Sequence, residues 1–149
     1  MADFRVRLAV WTSDERKLRM LRHTVFVLEQ GVPKEIEWDG IDKDCSHAIA
    51  EDSSGNSIGC GRLLPDGHIG RLSVLREWRG RGVGTALLGE LILLATERGH
   101  RRVIANAQEH ARSFYERHGF TTAGDPFTEA GIVHRVMECA LQARSIRLP

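Results

Sequence analysis

Apolar and polar residues alternate at the start of the chain, with Phe4, Val6, Leu8 and Val10 set against Arg5, Arg7 and Ala9. That period of two predicts a strand. Leu18, Leu21, Val25 and Leu28 then recur at helical spacing. Ser13 stands where an N-cap belongs, with Asp14 and Glu15 in the first turn, and Gly31 and Pro33 close the helix. Residues 34–46 are polar and predict a loop, with Glu35, Glu37, Asp39, Asp42 and Asp44 gathered around Trp38. Three strand-like runs follow, at 47–51, 57–64 and 68–75. The turn sequences Ser53-Ser54-Gly55-Asn56 and Pro65-Asp66-Gly67 separate them, which predicts an antiparallel meander. Val83, Leu87, Leu91 and Leu94 mark a helix over 83–98. Residues 103–107 read as a strand, and Ala111, Phe114, Tyr115 and His118 place a helix over about 110–118. A short strand at 120–122 precedes a last one at 131–141, where Ile132, His134, Val136 and Glu138 alternate with Val133, Arg135, Met137 and Cys139. The order β-α-β-β-β-α-β-α-β-β predicts an α/β (α+β) fold. Its central sheet is mixed and mostly antiparallel, with helices on both faces.

Composition narrows the classes of function. At 149 residues with 42% hydrophobic content the chain suits a single domain over 1–149 with an ordinary core. Lysine plus arginine is 21 against 20 for aspartate plus glutamate, so the basic excess of a general nucleic-acid binder is missing. The basic cluster at 98–102 reads as a solvated helix end. Cys45, Cys60 and Cys139 are too few and too scattered for a disulfide framework or a zinc site, which fits reduced thiols. No close set of histidine, cysteine and aspartate has ligand spacing, so no metal is expected. The first residues carry no secretory apolar region, and the apolar run 91–95 is far too short to span a membrane. A cytoplasmic protein without a membrane partner is the expectation.

The chemistry concentrates in Arg79-Gly80-Arg81-Gly82-Val83-Gly84-Thr85, between a predicted strand and a predicted helix. Glycines at alternate positions let backbone approach a ligand closely. The first turn of a helix offers free N–H groups and the positive end of its dipole, which together suit an anion. Arg79 and Arg81 add charge, so the stretch reads as a pyrophosphate cradle. No lysine follows these glycines, as a P-loop would require, and their spacing breaks the Gly-x-Gly-x-x-Gly dinucleotide pattern.

The pattern Arg-x-x-Gly-x-Gly resembles the acetyl-CoA pyrophosphate loop of the GNAT superfamily of N-acetyltransferases. A second stretch carries the same resemblance. Gln108, Ala111, Tyr115, Gly119 and Phe120 match the family's Asn-x-x-Ala-x-x-x-Tyr-x-x-x-Gly-Phe, except that Gln108 replaces asparagine. Both residues are amides, so the hydrogen-bonding groups survive. The stretch from Val27 to Pro33 with its Glu29-Gln30 pair, Asp42, His47, and the run from Glu129 to His134 resemble the ElaA-type subgroup.

The resemblance implies an acetyl-CoA-dependent transfer to a primary amine by direct attack in a ternary complex. It assigns the pantetheine arm to the backbone of Leu72, Ser73 and Val74. It gives the pyrophosphate to Arg79, Gly80, Arg81, Gly82, Val83, Gly84 and Thr85, and a supporting amide to Gln108. Tyr115, the one tyrosine of the chain, matches the residue that protonates the departing thiolate. Glu29, His47 and His134 are candidates for the base, and an imidazole suits proton exchange near neutrality. Arg22, Arg62 and Arg71 are candidates for an acidic acceptor or for CoA phosphates, though each also fits a surface position. The acidic residues of 34–46 could steer a cationic amine, and they also fit a solvated loop. The acceptor is left open between small molecules and peptides, and a homodimer stays open because family members often dimerise. Two other readings remain: an acyltransferase with a longer acyl donor, like the acyl-homoserine lactone synthases, and a non-catalytic CoA-binding sensor.

Overall fold

A computed structural model describes residues 3–142. Its strands form one twisted sheet in the order β1-β2-β3-β4-β5-β8-β6, with β7 hydrogen-bonded to β8. β1 (Phe4–Ala9), β2 (Ser46–Asp52), β3 (Ser57–Leu63) and β4 (His68–Val74) are antiparallel neighbours, as the meander requires. β5 (Arg102–Gln108) lies parallel to β4, and β8 (Ile132–Ala140) runs antiparallel to β5 from Arg102↔Ala140 to Gln108↔His134. β6 is the two-residue strand Thr121–Thr122, and β7 is Phe127–Glu129.

The alternation along β2 sorts the helices onto two faces. Ala48 and Ala50 join Ile58, Leu63 and Ile69 against Leu87, Leu88 and Leu91 of α3 (Val83–Glu97). Ile49 and Cys60 point the other way, onto Leu18 and Leu21 of α1 (Trp11–Arg22). Two glycines of β3 set how closely α3 approaches. A Cβ at Gly59 would stand 2.9 Å from the Ser73 carbonyl oxygen, and one at Gly61 only 2.7 Å from Leu72 Cδ1 and 2.9 Å from Leu91 Cδ1. The backbone contact restricts position 59 to glycine, whereas a side chain at position 61 would have to push the two leucines aside.

Several elements differ from the sequence expectation. α1 begins at Trp11 with Val10 as its N-cap residue, so Ser13 lies inside the first turn. The buried Asp14 caps the end instead. It accepts the Val10 N–H at 2.8 Å and two bonds from Arg7 at 2.9 Å each, and these hold its carboxyl down at about 2. After Arg22 the chain continues as a π-helix, His23–Glu29, which Gly31 ends at φ 71°. Residues 34–46 hold α2 (Lys34–Glu37) and a 3₁₀ turn, Asp42–Asp44. The helix expected over 110–118 is a 3₁₀ turn, Glu109–Ala111, leading into α4 (Arg112–Arg117). β7 was not expected. It is short and follows Pro126, but Ala130 (φ 52°) and Gly131 (φ 75°) form the two-residue turn that suits a hairpin. Cys45, Cys60 and Cys139 are free thiols. Among the described residues no helix is long and apolar enough to cross a membrane.

Candidate active site

The ladder between β4 and β5 is short. Only His68↔Ile104 and Ile69↔Ala105 pair, and beyond them the two strands part. The β3–β4 register shifts between Cys60 and Arg62, opposite Arg71, whose φ of 51° is left-handed. A bulge of this kind bends a strand away from its neighbour. β4 keeps β3 and β5 keeps β8 on the outer sides, so the facing edges are bare. Backbone donors and acceptors of residues 70–72 and 106–108 therefore border a cleft instead of a ladder.

Two cavities meet in this cleft. One is walled by Phe26, Gln30, Arg71, Gln108, Tyr115 and His134. The other is walled by Val74, Gly80, Gly82, Gly84, Thr85 and Phe114. Gln30, Leu72, His110 and Ala111 belong to both, so the two spaces adjoin.

The glycine loop has the form an anion cradle needs. Gly80 and Gly82 adopt φ of 75° and 86°, and nothing lies within 4 Å of where a Cβ would sit on either. The glycines are thus required by conformation, and the space beside them is open. The first helical bond of α3 runs from the Ala86 N–H to the Gly82 carbonyl at 3.0 Å. The N–H groups of Val83, Gly84 and Thr85 precede it and have no intrahelical partner. The Arg81 guanidinium lies 4.6 Å from the Trp78 ring centroid, a cation–π contact, and Arg81 is not among the residues that line the loop-side cavity. Arg79 donates through Nε to the Val74 carbonyl at 3.0 Å, and its Nη2 reaches both oxygens of Glu29 at 3.0 and 2.9 Å. Leu72 and Val74 turn their side chains toward the main core, while Ser73 is buried with its hydroxyl 3.2 Å from the Cys60 thiol. Burial pushes that thiol up to about 11.

Tyr115 sits on α4 with its ring in the core, edge-on to Phe114 and Phe120. Its hydroxyl makes no hydrogen bond among the described residues, and burial pushes it up to about 12. The group therefore keeps its proton across the neutral range. His134, opposite Gln108 in the β5–β8 ladder, stacks on Phe127 with ring centroids 5.5 Å apart. Its Nδ1 lies 2.7 Å from the Ile132 carbonyl. A carbonyl can only accept, so Nδ1 carries a proton, and in the neutral ring the lone pair is on Nε2. Gln108 Nε2 donates to Gln30 Oε1 at 2.7 Å and ties β5 to the end of the π-helix.

The other base candidates stand elsewhere. Glu29 does not line the acceptor-side cavity, and its carboxylate is bound to Arg79 and 3.7 Å from Arg76. His47 is buried on the α1 side, stacked on Trp11 and bonded through Nε2 to the Asp42 carbonyl at 2.8 Å. Burial lowers its proton affinity. It fastens the 34–46 segment to the sheet.

That segment is only partly solvated: Glu35, Asp39 and Asp44 are exposed, but Glu37 and Asp42 are buried. Arg22 donates to Glu37 at 2.5 Å and to Asp42 at 2.6 Å, all three being buried. Arg62 reaches Asp42 at 3.0 Å and Asp39 at 2.9 Å, and Arg71 reaches Asp39 at 3.3 Å. Burial works to raise the Asp42 carboxyl, but the hydrogen bonds and charge of Arg22 and Arg62 outweigh it and hold it below the usual range. Three acids are thus bound by the three arginines that the sequence left as surface candidates. Gln30, His110 and Glu129 also border the acceptor-side cavity; Gln30 and Glu129 entered the sequence reading only as part of the subgroup resemblance, without a site role, and His110 was not singled out. Among the described residues no cluster of histidine, cysteine and carboxylate side chains could hold a metal ion.

Comparison with known proteins places this geometry. The model of an acetyltransferase (GNAT) domain matches residues 13–141. The uncharacterized N-acetyltransferase YjcF of Bacillus subtilis is 35% identical over 136 residues, covering 87% of this chain and 96% of that one. Among solved structures, an acyl-CoA N-acyltransferase from Pseudomonas aeruginosa is 29% identical with a TM-score of 0.78, over 93% of this chain and 99% of the other. Escherichia coli ElaA is 27% identical with the same TM-score and the same coverage.

Proposed function

This chain belongs to the GNAT acetyltransferase family and is an acyltransferase, and we propose that it carries an acetyl group from acetyl-CoA to a primary amine by direct attack in a ternary complex. One observation carries the reading. The parted β4 and β5 edges join a glycine-loop cavity to a cavity holding Tyr115 and His134, with Leu72 and Ala111 at the junction. The acyl-CoA donor named for the Pseudomonas aeruginosa neighbour supports a CoA thioester here.

In this reading the N–H groups of Val83, Gly84 and Thr85 and the guanidinium of Arg81 hold the pyrophosphate. The β4 backbone of Leu72, Ser73 and Val74, on the edge that faces away from β3, holds the pantetheine amides, and a backbone N–H there stabilises the oxyanion. His134 Nε2 accepts the proton that leaves the acceptor nitrogen as that nitrogen bonds to the thioester carbon. Tyr115 gives its proton to the sulfur as the C–S bond breaks, and regains one from solvent. One proton leaves nitrogen and one reaches sulfur, so the step balances. Gln108 braces Gln30, and Glu29 holds Arg79 in line.

Calorimetric titration with acetyl-CoA and desulfo-CoA, beside an Arg81→Glu variant, tests the donor half. Micromolar binding that the charge reversal removes is the expected result, and no binding by the natural chain would sink the reading. Thiol release over an amine panel tests the acceptor half.

A further inference from the structure

We infer that the acceptor amine also bears a carboxylate, as amino acids do, and that this carboxylate seats on Arg71 while the amine faces His134; the inference rests on the transferase reading above. Arg71 and His134 border the same cavity. Within the ion-pair cluster the acids lean toward the inner arginines. Glu37 is 2.5 Å from Arg22 but 3.5 Å from Arg71, and Asp39 is 2.9 Å from Arg62 but 3.3 Å from Arg71. The cluster is neutral as a whole, three arginines against three acids, and Arg71 at the cavity wall is the arginine whose ion pairs are longest.

The donors of Arg71 tell the same story. Its Nη2 is engaged by the Ile36 and Glu37 carbonyls at 3.3 and 3.2 Å and by the Asp39 carboxylate at 3.3 Å, and Nε is buried 3.5 Å from Glu37 Oε1 without a hydrogen bond, whereas Nη1 makes no hydrogen bond among the described residues. Burial and the charge of Arg62 lower its proton affinity, a penalty that an anion in the cavity would relieve. The backbone supports a functional role as well, because a non-glycine residue at φ 51° is held against its preference. The unengaged Nη1 can donate a charge-assisted hydrogen bond to a carboxylate, stronger than one between neutral groups. On the same cavity the exposed Glu129 carboxylate and the free Nε2 of His134 suit the amine end.

The test is an acetyl-transfer assay on matched pairs, glycine, β-alanine and γ-aminobutyrate each beside its primary amide, with a calorimetric acetyl-CoA titration run in parallel. At least one acid is expected to exceed its amide in kcat/KM by about tenfold or more, the scale of a charge-assisted hydrogen bond. Arg71→Gln should bring that ratio close to one, and Arg71→Lys, which keeps the charge and guards against a folding artefact, should retain part of it. Failure of every acid to exceed its amide, or a ratio that survives Arg71→Gln, overturns the carboxylate seat. Absence of acetyl-CoA binding overturns the transferase reading itself, so the two failures are separable.

Discussion

Glu29 takes two hydrogen bonds from a single nitrogen of Arg79, at 3.0 and 2.9 Å, and so fastens the end of the π-helix to the glycine loop. The next residue, Gln30, walls the acceptor side of the cleft. The pair therefore spans the two halves of the site, and it partly neutralises one of the loop's two arginines. Replacing Glu29 with Gln is expected to tighten acetyl-CoA binding by up to about fivefold, the scale of a partly exposed ion pair, with little change in kcat. A kcat lowered by about a hundredfold or more at unchanged acetyl-CoA affinity would instead make Glu29 the base.

Tyr115→Phe should lower kcat by about 10²- to 10³-fold, the contribution of a positioned acid, while acetyl-CoA affinity from calorimetry stays near that of the natural chain. A kcat that does not move would remove Tyr115 from the chemistry.

The same hydroxyl has a signature in stability. Its proton affinity is raised by burial from 10 to about 12, so its contribution is complete below pH 10. Above that the unfolded chain loses the proton while the folded one keeps it, and stability falls by about 1.4 kcal/mol per pH unit up to about pH 12. Cys60 also titrates in this region, so the informative quantity is the difference between the natural chain and Tyr115→Phe in urea unfolding from pH 9 to 12. That difference should grow with pH; parallel curves would contradict it.

Gly82→Ala should cost about 1–2 kcal/mol of stability, because alanine pays for the left-handed backbone at φ 86° even though its Cβ meets no atom. Acetyl-CoA affinity should fall with it as the loop relaxes. Equal thermal stability and equal affinity would show that the loop does not need this conformation.

Arg22→Leu should destabilise the fold by about 3–5 kcal/mol, since it removes the closest partner of two buried carboxylates and leaves Glu37 with Arg71 at 3.5 Å and Asp42 with Arg62 alone. Chemical denaturation reads the loss. A change below about 1 kcal/mol would mean that water reaches those carboxylates readily.

Much of this arrangement was readable from residue order. The strand alternations, the meander turns and the glycine run state local rules, and those rules hold in the sheet, in α3 and at Gly80 and Gly82. The positions of Gln108, Tyr115 and His134 followed from a matching motif and a period-two strand, and all three border one cavity. What the sequence hid depends on partners distant in the chain. Glu37 and Asp42 look solvated until Arg22 and Arg62 arrive from α1 and β3. The π-helix leaves no trace in a 3.6-residue stripe, because the same side chains fit either turn. Ser13 looked like a cap, but Asp14 could reach both the Val10 N–H and Arg7.

Gly61 lies on β3 and touches no candidate ligand, yet Leu72, which borders both cavities, rests where a Cβ on that glycine would be. The floor of the cleft is held in place by a missing carbon one strand away. Variation at residue 61 is therefore visible to selection through substrate handling: even alanine would lift Leu72 toward the cleft, and a lineage exploring new acceptors could reshape the site from behind without altering any residue that lines it.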